Sequence, residues 1–142
     1  MSREFRLRLA DWEREREAMR AVRTEVFIVE QQVPQDIEWD DMDPLCVHVL
    51  AVDADGTPIG TGRLTPDGKI GRMAVLKDWR STGVGAALLE FLVESARQRG
   101  LKACRLNAQS HAIGFYVRHG FAMEGEEFLE AGITHRRMQR SL

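Results

Sequence analysis

The run Arg72-Met73-Ala74-Val75-Leu76-Lys77-Asp78-Trp79-Arg80-Ser81-Thr82-Gly83-Val84-Gly85-Ala86 decides how the rest of the chain is read. It has the order strand, short loop, glycine turn, helix. Unpaired N–H groups at a helix start, together with the helix dipole, attract an anion. Gly83 and Gly85 let a phosphate approach the backbone closely, and Arg80 adds a guanidinium fork for the same oxygens. The combination predicts a diphosphate-bearing cofactor. The residues after Gly85 exclude two other kinds of glycine loop. A P-loop ends in Gly-Lys-Ser/Thr, whereas Gly85 precedes Ala86-Ala87. A dinucleotide fingerprint needs Gly or Ala where Leu88 stands and an acid about 20 residues on, and Ala103-Cys104-Arg105-Leu106-Asn107 offers none. The bland alternative is a left-handed turn into a helix.

Outward from this run, the chain divides into two halves. On the N-terminal side, Phe5, Leu7 and Leu9 alternate with polar residues as in a half-buried strand. Asp11 can cap a helix to about Phe27, with Glu13 in its first turn and Trp12, Met19, Val22 and Val26 on its inner side. Val33-Pro34 breaks that helix, and the stretch to Pro44 reads as a loop or an irregular second helix. Strands come next over 47–52, 58–65 and 69–75, with Asp55-Gly56 and Pro66-Asp67-Gly68 as the turns. On the C-terminal side, Gly83 to Arg99 is a helix whose apolar stripe is Val84, Ala87, Leu88, Phe91, Leu92 and Ser95, with Gly100 as its stop. A strand over 102–107, a short helix over 110–119 and two last strands over 121–124 and 134–140 complete an α/β chain.

The 142 residues are 44% hydrophobic and 30% charged, an ordinary globular composition for one domain over 1–142. No apolar run nears the roughly 18 residues of a membrane span. The charged beginning, MSREFRLRLADWERERE, does not read as a secretory signal. Cys46 and Cys104 lack metal-ligand spacing and do not form a disulfide framework. A reduced cytoplasmic setting is expected, with no metal and no membrane partner. The net charge of −2 hides an asymmetry: residues 24–62 hold nine acids and no Lys or Arg, while residues 63–142 are positive by five. Glu30, Asp36, Glu38, Asp40, Asp41 and Asp43 form the densest part. They read either as a solvated loop or as an acidic rim for a cationic substrate. The basic residues are not interleaved with aromatics, which argues against a nucleic-acid partner.

Arg80-x-x-Gly83-x-Gly85-Ala86 resembles the acetyl-CoA signature of the GNAT superfamily of N-acetyltransferases. Asn107, expected to close a strand, and Phe115-Tyr116-x-x-x-Gly120-Phe121 resemble that family's second half-signature, about 30 residues further on. The resemblance implies a mixed, mostly antiparallel sheet flanked by helices, with acetyl-CoA as cofactor. It places the backbone of Met73, Ala74 and Val75 along the pantetheine arm, with splayed fourth and fifth strands admitting the thioester. Arg80 and the N–H groups of Ser81, Thr82, Gly83, Val84, Gly85 and Ala86 would hold the pyrophosphate, with Phe115 also on the cofactor and Asn107 on the arm. A backbone N–H near Val75 would polarise the thioester carbonyl. Tyr116 takes the position of the general acid that protonates the departing thiolate.

No acid stands on the fourth or fifth strand, where many family members keep the general base, so Glu30 is ranked first and His135 second. Arg23-x-x-x-Phe27, Trp39 with the acids around it, and Arg72-Met73 are also similar to acyl-homoserine-lactone synthases, which share this fold. Arg23, Phe27, Glu30, Asp40 and Arg72 are accordingly expected on the substrate side, with Arg23 paired to the acidic segment. The expected reaction is direct acetyl transfer to a primary amine of a small, cationic or amino-sugar acceptor, by a protein that can form a homodimer. The alternatives are a non-catalytic CoA-binding sensor and a protein-modifying acetylase that docks partners through residues 30–44. Calorimetry with acetyl-CoA tests the glycine loop directly: Gly85→Glu sets a carboxylate against the pyrophosphate and is expected to abolish binding that the unsubstituted protein shows.

Overall fold

The computed structural model describes residues 3–142, the side chain of Ile37 excepted. Met1 and Ser2, part of the expected 1–142 domain, lie outside the described residues. The first strands form an antiparallel meander of β1 (Phe5–Ala10), β2 (Val47–Asp53), β3 (Pro58–Leu64) and β4 (Ile70–Val75), in the order β1-β2-β3-β4. A second antiparallel sheet has the order β5-β7-β6, from β5 (Ala103–Gln109), β6 (Ala122–Glu130) and β7 (Ile133–Ser141). The last two strands are longer than their sequence patterns because they form one hairpin around Ala131-Gly132, and both turn residues have positive φ.

The two sheets meet at one end only. Lys69 and Arg105 make a parallel bridge, the Arg105 N–H donates to the Gly68 carbonyl at 3.0 Å, and the Arg105 guanidinium holds Asp67 at 2.8 Å. Beyond this staple no ladder joins β4 to β5 among the described residues, and the strands splay. A bulge bends β4 further. Thr61 faces Ala74 and Arg63 faces Gly71, so Arg72 and Met73 together oppose Gly62. Arg72 is at φ 48°, which a non-glycine residue adopts only under constraint.

Helices cover both faces of the first sheet. α3 (Val84–Gln98) lies on one face against Val49 and Ala51 of β2, Ile59 of β3, Ile70 of β4 and Leu106 of β5. Its buried face is Val84, Leu88, Leu89, Leu92, Val93 and Ala96, while Ala87, Phe91 and Ser95 of the expected stripe sit half-buried at its margin. Two glycines explain the rotation. A Cβ at Gly60 would lie 3.0 Å from Val84, and one at Gly62 would lie 3.0 Å from Leu92, so the helix settles broadside onto β3. The second sheet then covers its other flank.

α1 (Trp12–Arg23) lies on the opposite face, where Trp12 and Met19 bury against Leu50 and Val52. Asp11 caps it by accepting the Glu13 N–H at 3.1 Å, as its sequence position predicts. The expected α-helix to about Phe27 is corrected. Regular α-geometry ends at Arg23, and a π-helical segment, Thr24–Glu30, comes after it. Thr24, Val26, Ile28 and Val29 are β-branched and weaken the α-helix there, while Val22, Val26 and Phe27 stay packed on Ala74 and Leu76. Among the described residues no helix is long and apolar enough to cross a membrane.

The acidic segment, with its short helix α2 (Gln35–Glu38), is tied down by arginines. Arg23 is only 1% exposed and donates to Glu38 at 2.7 Å and Asp43 at 2.9 Å. Arg63 grips Asp40 through both terminal nitrogens (2.7 and 2.8 Å) and also reaches Asp43 at 2.8 Å. Arg72 faces Glu38 at 3.3 Å and Asp40 at 3.1 Å. Stripping one partner from such a buried pair leaves an uncompensated charge and costs about 3–5 kcal/mol. Urea denaturation of Arg23→Met, Glu38→Gln and the double variant is therefore expected to show strong coupling, with the double variant losing far less than the two single losses together; additive losses would refute the pairing. A pH series gives a second test. The Arg63 hydrogen bonds hold the Asp40 carboxyl at about 2, below its ordinary 3.8. A depressed carboxyl stabilises above about pH 4 and loses that contribution as pH falls towards 2, so Asp40→Asn should cost about 1–2 kcal/mol at neutral pH and flatten the acid limb.

Candidate active site

The open end of the splay is lined by β4 and the glycine turn after it. Ala74 and Val75 pair with Thr61 and Gly60 on one side, so their other edge borders the gap to β5. Past a short 3₁₀ turn, Lys77–Trp79, the chain bends through Ser81 at φ 63° and Gly83 at φ 95° into α3. No side chain caps the start of α3, which leaves the first-turn N–H groups to an outside acceptor. Thr82 instead turns its hydroxyl to the Trp79 carbonyl at 2.5 Å and braces the loop. A Cβ at Gly85 would lie 3.7 Å from the Phe115 ring and 3.9 Å from Val75. The fold therefore gathers Val75, Gly85 and Phe115, from β4, α3 and α4 (Ile113–Arg118), at one point. That convergence, with an uncapped helix start and an open strand edge, fits a long cofactor with a diphosphate at one end.

Tyr116 is next to Phe115 on α4 and is half-buried, its ring edge-on to Phe115 at 5.1 Å and Phe121 at 6.0 Å. Burial pushes its phenol up to about 12, so it is neutral and proton-bearing throughout the physiological range. Asn107 does not close its strand as expected. β5 runs on to Gln109 because β7 continues the ladder through Gln109↔His135, with Asn107 opposite Arg137. Cys46 and Cys104 are thiols whose pKa burial raises, so neither is an activated nucleophile.

The residues expected on the substrate side fare differently. Arg23 pairs with the acidic segment, as expected, and its burial between two carboxylates corrects only its placement among ligand-contacting residues. Phe27 packs with Val22, Val26, Ala74 and Leu76. Asp40 and Arg72 face each other within the ionic cluster. The acidic rim is corrected with them. Glu38, Asp40 and Asp43 face arginines of the sheet and α1, and Glu30 faces Arg80. Of the six acids, Asp36 and Asp41 alone are exposed outside these pairings among the described residues.

The two base candidates are both engaged. Glu30 accepts from the two terminal nitrogens of Arg80 at 2.6 and 2.7 Å, and that hydrogen bonding lowers its carboxyl pKa. His135 is buried, with Nδ1 2.6 Å from the Ile133 carbonyl and Nε2 3.5 Å from Glu130. Its ring stacks on Phe128 at 5.9 Å. Nδ1–H donates to that carbonyl, and Nε2 faces the Glu130 carboxylate.

Sequence reasoning missed what spans the mouth of the gap. Gln31 and Gln109 exchange amide hydrogen bonds at 3.0 and 3.2 Å, joining the end of the π-helical segment to the end of β5. Gln109, His135 and Phe128 lie directly opposite one another on β5, β7 and β6, and so share a face of the second sheet. Nothing local announces a glutamine pair separated by 78 residues, nor the bulge that re-aims Arg72.

Comparison with known proteins agrees with this geometry. Residues 13–142 match the family model described as an acetyltransferase (GNAT) domain. The uncharacterized N-acetyltransferase YjcF of Bacillus subtilis is 40% identical over 123 residues, covering 84% of this chain and 87% of that protein. Among solved structures, an acyl-CoA N-acyltransferase from Pseudomonas aeruginosa superposes with a TM-score of 0.84 at 32% identity, covering 98% of this chain and 99% of the other. Escherichia coli ElaA superposes with a TM-score of 0.83 at 29% identity, over 96% of this chain and 99% of the other. An uncapped glycine turn beside a splayed β4 and β5 thus stands in a fold shared with acyltransferases, and the chain belongs to the GNAT superfamily of N-acetyltransferases.

Proposed function

We propose that this acyltransferase moves an acetyl group from acetyl-CoA to the primary amine of a small polar acceptor, which attacks directly in a ternary complex. The observation that carries this reading is the gap between β4 and β5, open at the end where the glycine turn and Tyr116 stand. Bound acetyl-CoA supplies a thioester whose acyl carbon forms the new C–N bond as the C–S bond breaks. The backbone of Met73, Ala74 and Val75 receives the pantetheine arm as an added strand, with Asn107 across the gap. Arg80 and the N–H groups from Ser81 to Ala86, Thr82, Gly83, Val84 and Gly85 included, hold the diphosphate. A backbone N–H near Val75 polarises the thioester carbonyl. Tyr116 gives its proton to the sulfur, which its raised pKa makes available at any pH the enzyme meets.

On the acceptor side, Glu30 is the first base and His135 the second, either acting directly or through water. Arg72 and Asp40 shape the wall rather than present charge. Neutralised acids and a glutamine pair at the mouth favour an amino sugar or another hydroxylated amine over a strongly cationic acceptor, because amides pair well with hydroxyls. We place the enzyme in the cytoplasm, where Cys46 and Cys104 remain thiols, and a homodimer is part of the same reading.

Thiol release from acetyl-CoA with a panel of amines, amino sugars included, tests the proposal. Tyr116→Phe should lower kcat about 100-fold or more with little change in the KM for acetyl-CoA. The unsubstituted enzyme should keep its kcat up to about pH 10, since the phenol titrates near 12. Cofactor binding without turnover on any amine would instead mark a CoA-binding sensor.

A further inference from the structure

The ion pair between Arg80 and Glu30 joins residues 50 positions apart and engages the guanidinium of the glycine loop. Arg80 sits just before the glycine turn, and its Nε–H donates to the Val75 carbonyl at 3.1 Å. That bond anchors the guanidinium on the end of β4. Both terminal nitrogens then point at Glu30, the last residue of the π-helical segment. A guanidinium has five N–H groups, and three are engaged in this way. We propose that Glu30 is an internal stand-in for the cofactor's diphosphate: its carboxylate occupies Arg80 until the diphosphate takes its place, and the exchange frees Glu30. The inference rests on the reading of Arg80 as a diphosphate ligand.

Three features support an exchange rather than a permanent link. The pair is open to solvent, with side chains 40% and 37% exposed, unlike Arg23 and Glu38 at 1% and 4%. An exposed pair of this kind is worth only a small factor in an equilibrium. A diphosphate brings more charge than one carboxylate, together with the N–H groups of the α3 start. The Val75 carbonyl holds the guanidinium while its terminal nitrogens change partners, so no backbone movement is needed. Release also matters for chemistry. The Arg80 hydrogen bond is the largest influence lowering the Glu30 carboxyl, so a released Glu30 is the stronger base. It would gain that strength only once the thioester is in place.

The test is calorimetric titration of CoA into the unsubstituted protein, Glu30→Gln, Glu30→Ala, Arg80→Ala and the Arg80→Ala/Glu30→Gln pair. Removing the competitor should tighten CoA binding roughly two- to fivefold in both Glu30 variants. Arg80→Ala should weaken it, and Glu30→Gln should have no effect in that background. Unchanged or weaker binding in the Glu30 variants, with Arg80→Ala still weakened, would overturn the exchange alone and make Glu30 idle or a positioning residue. Undiminished binding in Arg80→Ala would overturn the reading of Arg80 itself.

Discussion

Two strands that run in parallel and then stop pairing govern this structure. β4 and β5 are held together at their beginnings by the Lys69–Arg105 bridge and the Arg105–Asp67 contact. Backbone groups left unpaired inside a protein are costly, so an unpaired inner strand edge is retained only where something else can complete it. Here the edge of Met73, Ala74 and Val75 faces a gap whose far end is the uncapped start of α3. The Val75 carbonyl takes the Arg80 Nε–H, and no side chain caps the start of α3. A regular ladder between β4 and β5 would close this gap.

The gap stays open because its walls are supported independently. α3 supports one side through close contact with β3, which Gly60 and Gly62 permit by having no Cβ. The buried arginines support the other. Arg23, Arg63 and Arg72 come from α1, β3 and the β4 bulge and converge on Glu38, Asp40 and Asp43. The segment carries many acids because it must answer three inward-pointing guanidinium groups. Its charge is local compensation.

Much of the fold is legible in the chain. Alternation marks β1, the turn residues Gly56 and Gly68 adopt the positive φ that their positions call for, and Asp11 caps α1. The glycine turn is legible because an arginine and two spaced glycines stand between a strand pattern and a helix pattern. The π-helical segment is not, since α- and π-geometry differ in hydrogen-bond register and not in which residues are apolar. The rotation of the α3 stripe depends on glycines in another element. Asn107 reads as a strand end because nothing in β5 itself says how far β7 will accompany it.

Local chemistry therefore determined the element order, the glycine turn and the placement of Tyr116 beside a conspicuous aromatic. Those are properties of short stretches, where backbone preference and helix-end electrostatics act over a few residues. Only the tertiary structure decided which charges cancel. Arg80 and Glu30, Arg23 and Glu38, and Gln31 and Gln109 are pairs distant in sequence. A charge or an amide in a sequence has no partner until the chain brings one within hydrogen-bond distance. The pairing of Glu30 with Arg80 is a consequence of that approach, which residue type and spacing do not encode, whereas the resemblance already implies that Arg23 pairs with the acidic segment.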